Sequence, residues 1–232
     1  MQQQLERIRA KLGRLSDLDS KRQLFGAAVH NYHMNPVLRP QQIQLFEAKH
    51  RVQLPEEYVA FLTVIGDGGA GPFNGLHRLE RGRICFFDPG EKGAHIYFDL
   101  SKPFPHTEKW NMDAEMEGLD ARLEAALMTG DENLEQQLFE KKWELIDGSE
   151  HDHGRLFIAD YGGGAQISLI VNGQEKGNIW TDDRINNRGI YPSMELGNTG
   201  TISFLNWYEL WLDKALTKME HSTHLSGRRV AV

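Results

Sequence analysis

The chain has 232 residues, 40% of them apolar and 25% charged, proportions that suit a folded globular protein and argue against disorder along its whole length. No run approaches the roughly 18 uninterrupted apolar residues of a membrane helix, and the first residues lack the continuous apolar core of a signal peptide. A single cysteine, Cys85, rules out an intrachain disulfide and fits a reducing compartment, so a cytoplasmic location away from membranes is expected.

The formal charge of −7 is uneven. Residues 111–150 hold 12 acidic and 3 basic side chains, a local net of −9, which leaves the remainder at +2. Direct nucleic-acid binding needs positive charge facing phosphates and is not expected. Attraction to a basic partner is permitted. The plainer reading of such a run is a solvated helical face.

Residues 1–30 read as one or two helices joined near 16–19, with Leu5, Ile8, Leu12 and Leu15 at helical intervals. The stretch 31–40 carries two prolines and reads as an extended connector. Helix returns at 41–50 with Ile43, Phe46 and Leu45 read on the inner face. Another helix follows Pro55, whose ring suits a helix start, as Glu56 and Glu57 suit its positive end. Tyr58, Phe61, Leu62 and Ile65 continue it, and Gly66 is the expected stop.

Strand character begins with two short aromatic and β-branched segments, 83–87 and 95–98, around the turn cluster Asp88-Pro89-Gly90. A helix over 112–127 carries Met112, Met116, Leu119, Leu123 and Leu127. After a break at 129–131 a second helix carries Leu134 and Leu138. This acidic pair reads as an insertion into the sheet, because strand signals resume after it. Segments 166–171 and 176–181 flank Asn172-Gly173, a dipeptide suited to a tight hairpin, although Gln174 and Glu175 leave room for a longer loop. The last helix, 203–218, places Phe204, Trp207, Trp211, Leu212 and Ala215 on one stripe. The tail from His221 is polar and expected to fray.

These segments carry a recognisable pattern. Leu54-Pro55-Glu56-Glu57-Tyr58-Val59-Ala60-Phe61-Leu62 runs into the glycine-rich stretch from Ile65 to Leu76. Ile158-Ala159-Asp160-Tyr161-Gly162-Gly163-Gly164, the hairpin with Gly177-Asn178-Ile179-Trp180-Thr181-Asp182-Asp183, and the closing helix from Phe204 follow in order. Together they resemble the SUKH superfamily, in its Smi/Knr branch, over roughly residues 40–216. The resemblance implies an α+β fold, a mostly antiparallel sheet packed against helices. Residues 1–39 are then an N-terminal helical extension and connector, 40–220 the SUKH-like domain with a helical acidic insertion at about 111–150, and 221–232 a tail. It also implies a non-catalytic binding role. Bacterial members resemble immunity proteins that occupy a cognate toxin, often a nuclease, whereas fungal members look like regulatory or scaffolding modules of cell-wall assembly.

The residues themselves offer little chemistry. The glycines of 66–75 lack the lysine and hydroxyl of a phosphate loop, and they read as a helix stop followed by a tight backbone path. Gly162, Gly163 and Gly164 read as a bulge or a close backbone approach. His151-Asp152-His153, with His30 and His33 as distant partners, is the most metal-like set, but it sits at a loop edge and no metal or cofactor is expected. Cys85, in an apolar strand, reads as an inert thiol. Adjacent carboxylates such as Glu56/Glu57 splay apart and are poorly placed for shared acid–base work. Partner contact is expected at the family's loops, through Asp67, Asp160, Asp182 and Asp183, and on the insertion, through Asp120, Glu124, Glu132 and Glu135.

Overall fold

Leu5, Ile8, Leu12 and Leu15 recur every three or four residues, and in the computed structural model they form one buried face of α1 (Gln2–Leu18). The structure describes residues 1–86, 95–97, 99–146 and 148–227. The expected turn at Asp88-Pro89-Gly90 and the side chain of Cys85 lie outside what it describes. A short α2 (Ala27–His30) leads to α3 (Pro40–His50), which buries Ile43 and Phe46 but leaves Leu45 exposed, and to α4 (Glu56–Val64). Pro55 is the N-cap of α4, with Glu56 and Glu57 in the first turn.

Two antiparallel sheets follow. β1 (Ile84–Phe86) pairs with β2 (His95–Tyr97), with Cys85 opposite Ile96. Four strands, β3 (Arg155–Gly162), β4 (Ala165–Ile170), β5 (Ile179–Asp183) and β6 (Gly189–Pro192), form the main sheet in sequential order. The tightest connection joins β3 to β4. Gly162 faces Ala165, and Gly163 and Gly164 both take positive φ, 62° and 86°. Two consecutive left-handed residues are what a two-residue hairpin requires. The glycines read from sequence as a bulge therefore also make the turn. Asn172-Gly173 lies instead in the longer loop between β4 and β5, where the Asn172 carbonyl accepts from the Phe104 amide at 2.9 Å.

Strand alternation gives the sheet two buried faces. Ile167, Leu169 and Ile179 join the main core with α1, α4 and the closing helix α7 (Phe204–Gly227). In that core Phe61 packs edge-on against Phe204 and Tyr208, and the Tyr208 hydroxyl donates to the Ala70 carbonyl at 2.8 Å. α1 belongs to this core too, and its outer edge is tied to α7 by Arg7 and Lys11 on Glu209. Helix α7 continues through 221–227, where a frayed tail was expected.

The opposite face carries Arg155, Ser168, Ile170, Trp180, Asp182 and Ile190. Phe104 and Trp110 cover its apolar part. Trp110 also exchanges two backbone hydrogen bonds of 2.8 Å with Ile190, extending the sheet by one bridge beyond β6. From that bridge the chain leaves as α5 (Asp113–Thr129) and returns as α6 (Glu132–Ile146). This hairpin packs chiefly on itself: Leu119, Ala126 and Leu138 form one cluster with Leu123, Leu134 and Leu145, and Met112 and Met116 a second with Trp110 and Leu145. Among the described residues no helix is long and apolar enough to cross a membrane.

Candidate functional site

The eight carboxylates expected at a partner face divide into two groups. Asp67 follows α4 and is buried, its Oδ1 accepting the Leu79 amide at 2.8 Å, so it fixes the glycine-rich loop. In the same loop Gly69 holds φ at 113°, and a Cβ there would stand 2.4 Å from the His33 carbonyl oxygen. Glycine is required for that close approach. Asp160 is half-buried and accepts the Gly162 amide at 2.9 Å, which supports the β3–β4 turn.

Asp182 and Asp183 are buried, at 4% and 3% exposure. Arg184 grips Asp182 with both sides of its guanidinium, Nε to Oδ1 at 2.9 Å and Nη2 to Oδ2 at 2.8 Å. Arg155 reaches the same carboxylate at 2.7 Å, and both arginines also donate to Asp152. The result is a neutral square of two arginines and two aspartates. Burial alone would raise the Asp182 carboxyl, but the charges of Arg155 and Arg184 overcome it and hold Asp182 far below the ordinary carboxylate range. Asp183 takes a hydrogen bond from Asn186 at 2.5 Å and stands 3.6 Å from Arg188. These two carboxylates are committed inside the fold. Arg155, 27 residues before Asp182, has no neighbour in sequence that announces the pairing.

The square is roofed by histidine and tryptophan. His106 Nε2 lies 2.9 Å from His151 Nδ1, and Trp110 packs on His151 at a ring separation of 4.0 Å. Burial, reinforced by the His151, Arg155 and Arg184 charges, pushes His106 down to about 4. His151 is lowered for the same reasons, burial first and Arg184 next. His151 and His30, considered together from sequence as ligands, lie apart: His30 packs against Tyr32 and Trp211. Among the described residues no group of three or more His, Cys, Asp or Glu is arranged to hold a metal.

A groove of about 190 Å³ between residues 24–32 and α7 is lined by Phe25, Tyr32, Phe73 and Trp211, with Lys214 and Lys218 at its rim. Among the described residues that line it, His30 is the one near-neutral titrating group, pushed down to about 4 by burial and by Arg22, and none is a carboxylate. That combination gives no acid–base pair.

The insertion is different. Asp120, Glu124 and Glu132 are exposed and Glu135 is half-buried. Among the described residues Asp120 alone of the four has a basic partner, Lys142 at 2.9 Å. The sequence reading missed the apolar side chains beside them. Phe139 and Trp143 remain 48% and 45% exposed, and Leu127, read from sequence with the α5 stripe, is 56% exposed and outside the hairpin cluster. Spacing was the available signal, because Glu132, Glu135, Phe139 and Trp143 fall at i, i+3, i+7 and i+11 of one helix. Leu134, Leu138 and Leu145 occupy the face toward α5, so the aromatic pair cannot share it.

Searches of curated proteins and of solved structures each returned no match. A family model, SMI1 / KNR4 (SUKH-1), matches residues 38–196, from the connector before α3 through β6. It takes in the α4 helix, the glycine-rich loop anchored by Asp67, both sheets and the buried square, and the match covers more than half of the chain; the protein is a member of the SMI1/KNR4 family of the SUKH superfamily.

Proposed function

We propose that this chain is a non-catalytic protein-binding domain that acts as an immunity protein, neutralising a cognate bacterial toxin by occupying it. The observation that carries the reading is the α5–α6 hairpin, which holds 10 acidic and 3 basic residues, a net charge of −7, with Asp120, Glu124, Glu132 and Glu135 exposed or half-buried on a family member that is otherwise neutral. A basic toxin surface, such as the phosphate-binding groove of a nuclease, has the complementary charge. Attraction of that kind accelerates encounter and weakens with salt. The non-catalytic part of the reading is supported by where the titrating groups lie. The buried aspartates of the sheet are neutralised by arginine, and His106 and His151 hold each other beneath Trp110.

Because Asp67, Asp182 and Asp183 are engaged internally, partner contact is assigned to Asp120, Glu124, Glu132 and Glu135. The test is co-expression with the protein encoded by the neighbouring gene in a growth assay. Rescue of growth together with a stable complex of the two purified proteins is the expected result. Unprotected growth and no complex would defeat it.

A further inference from the structure

The hairpin's two long edges are not alike. Of its three basic residues, Arg122 and Lys141 line one edge with Glu115, Gly118 and Leu145. The third, Lys142, crosses to Asp120 and marks the other edge. Helical periodicity places Glu124 and Leu127 in line with Asp120 along α5, at steps of four and three. On α6, Lys142 sits between the buried leucines and the outward stripe of Glu132, Glu135, Phe139 and Trp143. One edge therefore combines four carboxylates with Phe139, Trp143 and Leu127, and its single cation is already paired.

Exposed aromatics ringed by one sign of charge are the composition of an interface centre rather than of a solvated face. From this juxtaposition we infer that the Phe139–Trp143 stripe is the anchor of the docking surface, and that its occupant is a basic amphipathic segment of another protein. The occupant sets lysine or arginine against the carboxylates and apolar side chains between Leu127, Phe139 and Trp143. A second copy of this edge, an anionic lipid surface or a nucleic acid would meet like charge along its whole length. The inference rests on the protein-binding reading above and adds the anchor residues and the chemistry of the bound segment.

The probe is a helical peptide of about 15 residues, matching the 15-residue length of α6, with lysine on one face and leucine on the other. Two controls keep the design, one with glutamate for lysine and one with glutamine for leucine. The full chain is titrated with each peptide by calorimetry. The lysine–leucine peptide binds and weakens as salt rises, and the Phe139→Ser/Trp143→Ser variant loses at least about tenfold in affinity. Both control peptides bind at least about tenfold more weakly to the unaltered chain. Circular dichroism identical to the unaltered chain shows that the variant is folded.

A loss of less than about twofold in the double variant overturns the anchor, as does equal binding of the glutamine peptide, which would mean charge condensation alone. Equal binding of the glutamate peptide overturns the basic occupant. The neutralising role separates cleanly from this outcome. If the unaltered chain and the double variant protect growth equally, the aromatic anchor falls while neutralisation stands. If neither protects but binding still requires Phe139 and Trp143, neutralisation falls and the anchor stands.

Discussion

Asp152 and Asp182 at the end of the sheet, and Asp120, Glu124, Glu132 and Glu135 on the hairpin, are the same functional group put to opposite uses. The first pair is buried and each carboxylate meets two guanidinium groups. The second set faces water, with one salt bridge of a kind worth little when exposed. A buried charge must be neutralised where it sits, and the two arginines do this for both aspartates, so the square holds its charge inside the fold. The hairpin acids lose little hydration on folding and keep their charge available. The contrast separates the part of the molecule that holds its shape from the part that can hold something else.

The largest effect expected is at the square. Asp182→Asn should cost about 3–5 kcal/mol in urea denaturation, because it strands two buried arginines with one carboxylate between them. Replacing Asp152, Arg155, Asp182 and Arg184 together by apolar residues of similar size should cost less than that single change. If Asp182→Asn costs under about 1 kcal/mol, the square is wetter than its burial indicates and the contrast fails.

Core truncations sharpen the same comparison. Phe61→Ala empties a site between Phe204 and Tyr208 and should destabilise the whole protein by about 3–5 kcal/mol. Leu138→Ala, in the separate cluster of the hairpin, should instead raise amide exchange along α5 and α6 while β4 keeps its protection. Equal loss of protection in β4 and α6 would show that the hairpin and the sheet unfold as one unit.

Much of this architecture is legible in the sequence, and the failures have physical causes. Pro55 with Glu56 and Glu57 marks a helix start through local chemistry alone, and α4 begins there. The Phe204–Trp207–Leu212 stripe likewise needs only periodicity. Asp182 and Asp183 were expected to face a partner because they accompany the loops of the family pattern. Their arginines arrive through strand pairing and a local turn, neither of which is written beside them. The alternation Trp180, Asp182 was the available hint, since it puts the carboxylate on the same face as a large apolar ring. Asn172-Gly173 was expected in a tight hairpin or, with Gln174 and Glu175, in a longer loop; the longer loop forms, and the two-residue turn falls at Gly163-Gly164, where the pairing of Gly162 with Ala165 leaves no longer path. From sequence only Leu134 and Leu138 were taken for this helix, and Phe139 and Trp143 form a second apolar stripe on α6 that faces away from them.

Histidine burial gives a pH-dependent contrast of intermediate size. His77 packs edge-on against Phe157, and burial, helped by Arg81, pushes it down to about 4. In the unfolded chain a histidine takes up its proton near 6.5, so between that value and 4 the unfolded state binds protons that the folded state does not. Stability should therefore be complete above about pH 6.5 and fall as pH drops toward 4. His77→Phe should remove on the order of 1–2 kcal/mol of that loss while changing stability little at pH 7.5, as read from urea midpoints at the two pH values. An unchanged pH slope in the variant would mean that His77 titrates normally in the fold.

The smallest effect on stability is expected at the hairpin acids, and it decides what they are for. Asp120→Asn, Glu124→Gln, Glu132→Gln and Glu135→Gln together remove four charges and one exposed ion pair, so the unfolding free energy from urea denaturation should change by no more than about 0.5 kcal/mol. A hairpin of net −7 repels itself, and relief of that repulsion acts in the opposite direction to the lost pair, which favours a result near zero. Set beside the several kcal/mol expected for Asp182→Asn, a near-zero shift means that the fold does not depend on this charge. Association of the quadruple variant with a basic protein should then be slower, and the dependence of its rate on salt should flatten. A loss of stability approaching that of Asp182→Asn would place the hairpin acids in the architecture and remove them from partner binding.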